Sequence, residues 1–168
     1  MVNLVPSPDT VMQILERTHA YRRGHFIYPN GKHASHYFQM PLAFRYYDNA
    51  RILSVGLSRL LRMEKTIASR LPKVSVISPS PGGIMVAFGV REALGAEQIY
   101  WAEMEDGKRQ FRQYMTDGDI HPAIIVDDIL RSGRAMTETI ALVRELGAEV
   151  IGIGTIVTFE DAPKEFEG

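Results

Sequence analysis

The segment with the clearest chemical character runs from residue 123 to residue 135 and reads AIIVDDILRSGRA. Four apolar residues precede Asp127 and Asp128, and Ser132 and Gly133 follow just before a predicted helix. Because neighbouring side chains of an extended strand point to opposite faces, the two aspartates are expected to do different jobs. A glycine lets the backbone approach an anion closely, and the helix start adds a favourable dipole. The segment therefore predicts a phosphate-binding loop beside carboxylates that can accept hydrogen bonds from sugar hydroxyls.

A strand–turn–helix connection in which an aspartate only caps the helix is the alternative interpretation of this segment. A single aspartate would favour that alternative. The pair Asp127–Asp128, followed at this spacing by Ser132–Gly133, favours a phosphate site instead.

The elements that must position this loop are strands that alternate with helices. Apolar runs and helical periodicity predict strands at 74–78, 98–103, 123–126 and 149–158 and helices at 84–94 and 134–146. Gly95 and Gly147 stop the two helices. This alternation predicts an α/β fold with a twisted, mostly parallel sheet flanked by helices. Ligands bind such sheets beyond the carboxyl ends of the strands, where the 127–135 segment lies.

The N-terminal part has a different pattern. Asp9 is predicted to cap a first helix that ends at residues 22–24, and Asp48 is predicted to cap another helix over 49–63. Between them, the aromatic and polar segment 25–44 carries a strong turn signal at Asn30–Gly31, with short strands expected on either side. We expect one domain over residues 1–168, in which 1–44 contain the first helix and a small hood.

Composition limits the partners. The 168 residues are 45% hydrophobic and carry a formal net charge of -1, so a core can form and no global field draws the chain to nucleic acid or a membrane. The absence of cysteine excludes disulfides and thiolate metal sites and fits a cytoplasmic protein. No segment reads as a secretory signal or as a membrane span. We expect a cytoplasmic location and neither a nucleic-acid nor a membrane partner.

Residues 123–135 resemble the phosphoribosyl diphosphate motif of type I phosphoribosyltransferases, and nearly the whole chain resembles the orotate phosphoribosyltransferase family. Four further segments carry the second resemblance: the hood residues GHF at 24–26, NGKH at 30–33 and YFQ at 37–39, the loop SPSPGG at 78–83, the stretch AEMEDGKRQFR at 102–112, and GAEV at 147–150. The resemblance implies the type I phosphoribosyltransferase fold.

The resemblance also implies a role for each matching residue. Asp127 and Asp128 would bind the ribose hydroxyls, with Mg²⁺ beside them. Lys108 and Arg112 would join them as catalytic residues, in a loop that closes over the leaving diphosphate. The implied substrate-binding residues are those of the 5-phosphate loop (Ile129, Leu130, Arg131, Ser132, Gly133, Arg134, Ala135), the diphosphate loop (Pro81, Gly82, Gly83), the mobile loop (Glu103, Arg109) and the hood (Lys32, Tyr37, Phe38).

The implied reaction transfers a phosphoribosyl group from phosphoribosyl diphosphate to a nucleobase, orotate first, in a homodimeric enzyme whose Mg²⁺ is bound chiefly by substrate oxygens. Two alternatives stay open. Met104 and Gln113 stand where the family usually has basic residues, and Tyr114 replaces a glycine, which is compatible with a non-catalytic sensor of phosphoribosyl diphosphate or a nucleotide. A purine-base enzyme would share the phosphate site and differ in the hood.

Three histidines of the hood, His25, His33 and His36, could suggest a metal site, but their spacing fits no metal-binding motif and exposed or structural roles explain them better. The basic and aromatic patch Arg45–Tyr47 with Arg51 is explained better by a dimer contact or a helix entry than by nucleic acid at this net charge.

Overall fold

The structure, a computed structural model, describes residues 5–27, 31–113 and 118–166. Its strands are β1 (Tyr21–Ile27), β2 (His33–Phe38), β3 (Ser75–Ser78), β4 (Gln98–Glu105), β5 (Lys108–Phe111), β6 (Ala123–Leu130) and β7 (Val150–Thr158). Its helices are α1 (Pro8–Arg17), α2 (Pro41–Phe44), α3 (Tyr47–Met63), α4 (Lys65–Ala68), α5 (Ile84–Leu94) and α6 (Arg134–Glu145). A 3-10 turn over Pro81–Gly83, called the glycine turn below, connects β3 to α5.

A five-stranded sheet in the order β5-β4-β3-β6-β7 forms the centre of the fold. The pairs β3–β4, β3–β6 and β6–β7 are parallel, and β5 adds an antiparallel edge. This confirms the predicted α/β class with a mostly parallel sheet. The strands that follow β3 and β6 lie on opposite sides of that central pair. The topological switch point, where such sheets bind ligands, therefore lies between β3 and β6.

Helices cover both faces of the sheet because the central strands are apolar on both. On one face Val76 and Ile124 belong to the core shared with α1, α3 and α5. On the other face Ile77 and Ile125 pack in a second core with Met136 and its neighbours on α6. Burying each such side chain contributes roughly 1.5–3 kcal/mol, so the ends of β3 and β6 are held firmly from both sides.

The hood is a two-stranded antiparallel ribbon formed by β1 and β2, in which Tyr21 pairs with Phe38 and Ile27 with His33. The predicted strands on either side of the Asn30–Gly31 signal are thus confirmed. Gly31 has a φ of 76°, and Asn30 lies outside the described residues.

Several predicted boundaries were wrong. The first helix is capped by Ser7, whose Oγ accepts the Thr10 N–H at 3.1 Å, while Asp9 lies inside the first turn. That helix ends at Arg17, and residues 22–24 belong to β1. The next long helix begins at Tyr47, so Asp48 lies in its first turn rather than at its cap.

The stretch between β4 and β6 also differs from the expected loop. Its first part is a hairpin, because β4 runs on to Glu105 and β5 returns from Lys108. Asp106 and Gly107 have φ values of 49° and 76°, the two positive values that a tight hairpin turn requires. Tyr114 lies outside the described residues. Within the described ranges, none of the helices is long and apolar enough to cross a bilayer.

Candidate active site

The carboxyl end of β6 carries the acidic pair. This strand runs to Leu130, four residues beyond the predicted end at residue 126. Its pairing with β3 stops at Ile125, whereas its pairing with β7 continues to Leu130. Asp127 and Asp128 therefore lie where β3 has already given way to the glycine turn.

Asp127 is held by that turn and by the backbone beside it. Its side chain is buried, with 6% of the residue exposed. Its Oδ1 accepts a hydrogen bond from the Ser80 hydroxyl and another from the Asp128 N–H, both at 3.0 Å. A short strand end and a serine thus fix the orientation of this carboxylate.

Both glycines of the turn lie against the acidic pair. A Cβ on Gly83 would stand 2.6 Å from Ser78 Oγ and would overlap the Asp127 carboxylate. A Cβ on Gly82 would stand 3.1 Å from Asp128 Oδ2. The two aspartates therefore contact adjacent glycines of one turn, and backbone and carboxylates line the same small space at the switch point.

The electrostatics of the pair favour a ligand that stabilises negative charge. Burial, and then the charge of Asp128, raise the pKa of Asp127 from 3.8 to about 7. Burial also raises the pKa of Asp128. Two adjacent carboxylates resist simultaneous ionisation, so a cation or several hydroxyl donors beside them would be bound favourably.

The predicted phosphate loop is the short connection Arg131–Gly133 between β6 and α6. Gly133 is buried with a φ of 74°, and a Cβ there would meet Pro163 at 2.8 Å and Phe166 at 3.0 Å, so the residue must be glycine. Ser132 is exposed, and its Oγ accepts the Arg134 N–H at 3.4 Å. The N–H groups of a first helical turn have no acceptor within the helix, which suits this end of α6 to an anion.

The other predicted residues of this segment flank that loop. Ile129 and Leu130 belong to β6, and the Leu130 carbonyl accepts the Phe159 N–H at 2.9 Å. Arg134 and Ala135 open α6, with Arg134 exposed.

The predicted cations of the mobile loop lie on the β4–β5 hairpin or directly after it. Lys108 is exposed next to the hairpin turn. Arg112 forms ion pairs with Glu103 at 3.5 Å and with Glu105 at 3.9 Å. Glu103 also accepts a hydrogen bond from the Trp101 indole at 3.3 Å. The structure thus groups Arg112 with Glu103 rather than with the acidic pair.

Arg109 behaves differently from these exposed cations. Its side chain is only 10% exposed, and its Nε donates to Glu138 Oε2 at 3.0 Å. Its Nη1 donates to the Pro79 carbonyl, two residues before the glycine turn. Glu138 was not predicted as a site residue, and its contacts with distant segments leave no signal in the local sequence.

The hood residues approach the site through Phe159, a second residue that the local sequence patterns did not predict. Tyr37 stacks on Phe26 with ring centroids 5.5 Å apart, and Phe38 meets Phe159 edge-on at 5.6 Å. The Arg131 guanidinium lies 5.0 Å over the Phe159 ring. Phe159 follows the carboxyl end of β7, and that position could have indicated it, because all carboxyl ends of a parallel sheet meet at one edge.

Lys32 is exposed just before β2. The three hood histidines do not converge on one point: His25 and His33 share a 2.6 Å contact between ring nitrogens, whereas His36 lies 5.4 Å from Phe159 by ring centroids. Within the described parts of the chain, no group of three or more His, Asp or Glu side chains could hold a metal ion.

A parallel sheet with an acidic pair and a glycine-ended loop at its switch point is the arrangement of a phosphoribosyltransferase. The family model of the phosphoribosyl transferase domain matches residues 107–166. Two solved structures share the fold: the orotate phosphoribosyltransferase of Aeropyrum pernix, with a TM-score of 0.69, 17% identity and coverage of 89% of this chain and 94% of that one, and the adenine phosphoribosyltransferase of Saccharomyces cerevisiae, with a TM-score of 0.63, 17% identity and 89% coverage of each.

Sequence identity to known proteins shows which family of phosphoribosyltransferases is involved. The orotate phosphoribosyltransferase of Caldanaerobacter subterraneus subsp. tengcongensis is 34% identical over 158 residues, which cover 94% of this chain and 79% of that relative. The chain belongs to the orotate phosphoribosyltransferase family.

Proposed function

We propose that this protein transfers the phosphoribosyl group of phosphoribosyl diphosphate to orotate, giving the nucleoside 5′-monophosphate and diphosphate. One observation supports the proposal most strongly: Asp127 and Asp128 lie against adjacent glycines of one turn. The Arg131–Gly133 loop follows directly after the strand that carries both aspartates. Membership of the orotate phosphoribosyltransferase family supports orotate as the base.

In this proposal, each segment of the site binds a different part of the substrate. The backbone of Arg131–Gly133 and the first turn of α6, with Arg134 and Ala135, receive the 5-phosphate. The carboxylates accept hydrogen bonds from the ribose hydroxyls, and the glycine turn offers its backbone to the diphosphate. As diphosphate leaves, positive charge develops at the anomeric carbon, and the two nearby carboxylates stabilise it.

The acidic pair also fits a divalent cation in a limited way. Two carboxylates are too few to enclose Mg²⁺, but they suit an ion whose other ligands are substrate oxygens. A cation beside the pair would offset the repulsion between the two carboxylates, which, after burial, raises the pKa of Asp127. Such an ion would neutralise part of the diphosphate charge.

The β4–β5 hairpin and the hood supply the other parts of the proposed site. Lys108 and Arg112 supply positive charge toward the leaving group from the hairpin, and Glu103 orients Arg112. Lys32, Tyr37 and Phe38 form the base side of the site in the hood. Residues 1–168 act as one domain in the cytoplasm.

We also propose a homodimer. Tyr47 is 76% exposed and Phe88 is 49% exposed. Both line a cavity of about 560 Å³ between α3 and α5. A second copy covering these aromatic side chains would bury apolar surface that a lone chain leaves in water.

A sensor that binds phosphoribosyl diphosphate without turnover is the second candidate. Met104 is 48% exposed, and the Gln113 side chain accepts the Trp101 N–H at 3.4 Å. Two positions that could carry cations for the diphosphate therefore do not.

One experiment separates these candidates. The protein is incubated with phosphoribosyl diphosphate, Mg²⁺ and orotate, adenine, guanine or hypoxanthine, and diphosphate and nucleotide release are followed. Turnover with orotate is expected. Turnover with a purine alone would move the assignment to a purine base. Binding without turnover by any base would favour the sensor, with Met104→Arg plus Gln113→Arg then expected to restore activity.

A further inference from the structure

The Arg109 side chain connects three segments that surround the acidic pair. It starts from β5, its Nε reaches Glu138 on α6 at 3.0 Å, and its Nη1 reaches the Pro79 carbonyl. Pro79 precedes Ser80, whose hydroxyl holds Asp127 at 3.0 Å. A planar guanidinium with donors in a fixed fork suits such bridging, and a lysine could not reproduce it.

Glu138 completes the connection because each of its oxygens accepts from a different arginine. Oε2 accepts from Arg109, and Oε1 accepts from Arg134 Nε at 2.6 Å. Arg134 is the first residue of α6, directly after the phosphate loop. The hydrogen bond from Arg134 lowers the pKa of Glu138, with a smaller contribution from Arg109, so the carboxylate stays ionised.

We propose that Glu138 is a positioning residue for phosphoribosyl transfer. It holds Arg109 against the Pro79 carbonyl and Arg134 beside the phosphate loop, and so fixes the spacing between the glycine turn and that loop. This inference rests on the proposed function, because one phosphoribosyl diphosphate molecule must reach both places at once. It also assigns Arg109 to positioning rather than to direct contact with the leaving group.

The direction in which the loss of the Glu138 charge changes the affinity for phosphoribosyl diphosphate distinguishes a positioning role from a purely electrostatic one. Removing a carboxylate makes the site more positive and should tighten the binding of a polyanion. Removing a positioning group should weaken that binding, because the two anion sites no longer keep their spacing. Glu138→Gln therefore gives opposite results under the two accounts.

The test compares Glu138→Gln with Glu145→Gln, which makes the same charge change at an exposed residue of the same helix. Calorimetry measures the Kd of phosphoribosyl diphosphate with Mg²⁺, and steady-state kinetics measures the KM of orotate. We expect Glu138→Gln to raise that Kd about tenfold and the KM of orotate less than twofold, since a global loosening would raise both. Glu145→Gln should match the parent, and Glu138→Asp, which keeps the charge, should recover part of the loss.

A double-mutant cycle tests the pairing of Glu138 with Arg109. If the two act as one unit, Arg109→Gln combined with Glu138→Gln should weaken binding no more than either change alone. Should Glu138→Gln fail to fold, Arg109→Lys carries the same expectation, because lysine keeps the charge but loses the fork.

Failure of the proposed function and failure of the positioning role give different results in these experiments. A parent protein that neither binds phosphoribosyl diphosphate nor turns it over defeats the proposed function and this inference with it. A parent that binds normally, with Glu138→Gln equal to it or tighter, overturns the positioning role alone. Additive effects in the cycle would overturn the pairing of Glu138 with Arg109.

Discussion

The acidic pair and the glycine turn lie at the centre of the sheet, whereas the hood is a two-stranded ribbon beside it. Asp127 is 6% exposed and is fixed by a strand, a serine hydroxyl and a backbone N–H. The hood strands are exposed or half-buried, and the His36 and Phe38 rings of β2 contact the ring of Phe159, directly after β7. The acidic pair is therefore held largely by a buried strand end and its backbone, whereas the hood meets the rest of the site through side chains.

This difference explains what each region can recognise. A phosphate is bound by N–H groups whose positions the fold dictates, so the phosphate side tolerates little change in backbone or volume. In the proposed site the base is read by side chains such as Tyr37 and Phe38, which pack on the rings of Phe26 and Tyr21 of β1. We therefore expect substitutions to act sharply on the phosphate side and gradually in the hood.

Among the single substitutions, the largest effect should come from Gly83→Ala. The new Cβ would stand 2.6 Å from Ser78 Oγ and press on the Asp127 carboxylate. We expect the Kd of phosphoribosyl diphosphate to rise about a hundredfold, together with a loss of roughly 1–3 kcal/mol in the free energy of unfolding. Calorimetry and urea unfolding measure the two quantities.

Gly152→Ala is the control for this change, because its Cβ meets the flexible end of Ile67 at 2.8 Å, away from the site. It should lower stability and leave binding unchanged. Equal losses of affinity in both variants would show that stability, and not the glycine turn, sets the Kd.

A smaller effect is expected from Phe159→Ala. The ring contacts His36, Phe38 and Arg131, so its loss should loosen the hood while the backbone bond from Phe159 to Leu130 remains. We expect the KM of the base to rise about fivefold and the Kd of phosphoribosyl diphosphate to change less than about twofold, given the ~0.5–1.5 kcal/mol of an aromatic pair. Phe159→Leu should give an intermediate KM. A larger loss on the diphosphate side would contradict the separation of the two regions.

A separate prediction concerns the pH dependence of the free energy of unfolding. The pKa of Asp127 is raised from 3.8 to about 7, so between these values the folded state binds a proton that the unfolded state has released. The stability contributed by this proton is fully present below pH 4 and is lost as pH rises through 7. Asp127→Asn removes that loss and keeps an oxygen for the Ser80 hydroxyl.

Urea unfolding at pH 5 and pH 8 measures this term. Relative to the variant, the unliganded parent should lose stability of the order of 2 kcal/mol between the two pH values. Parallel pH profiles for parent and variant would show that the aspartate is not protonated in the folded state.

Many of the helices and strands could be predicted from local sequence patterns, and the predictions that were wrong have definite physical causes. Gly95 ends α5 with a φ of 66°, as predicted, because a left-handed residue at a helix end favours glycine. The strand that delivers Asp127 was also predicted, although its extension to Leu130 depends on pairing with β7. The hairpin at Asp106–Gly107 was missed, despite a strong turn signal, because its polar strands were interpreted as a loop.

The missed site residues depend on contacts between distant segments. Glu138 meets Arg109 from 29 positions away, and Phe159 meets Arg131 across the sheet edge. No local pattern encodes either contact. By contrast, Asp127, Asp128 and Gly133 could be predicted because a short strand–loop–helix connection carries its own geometry.

We propose that two carboxylates at the end of β6 bind the sugar of phosphoribosyl diphosphate. The most direct test is calorimetry of that ligand, with Mg²⁺, on the parent and on Asp127→Asn with Asp128→Asn, with circular dichroism of both. We predict an unchanged helical spectrum and no measurable binding by the double variant. Binding within about threefold of the parent, a difference below 1 kcal/mol, or loss of the folded spectrum would contradict the account.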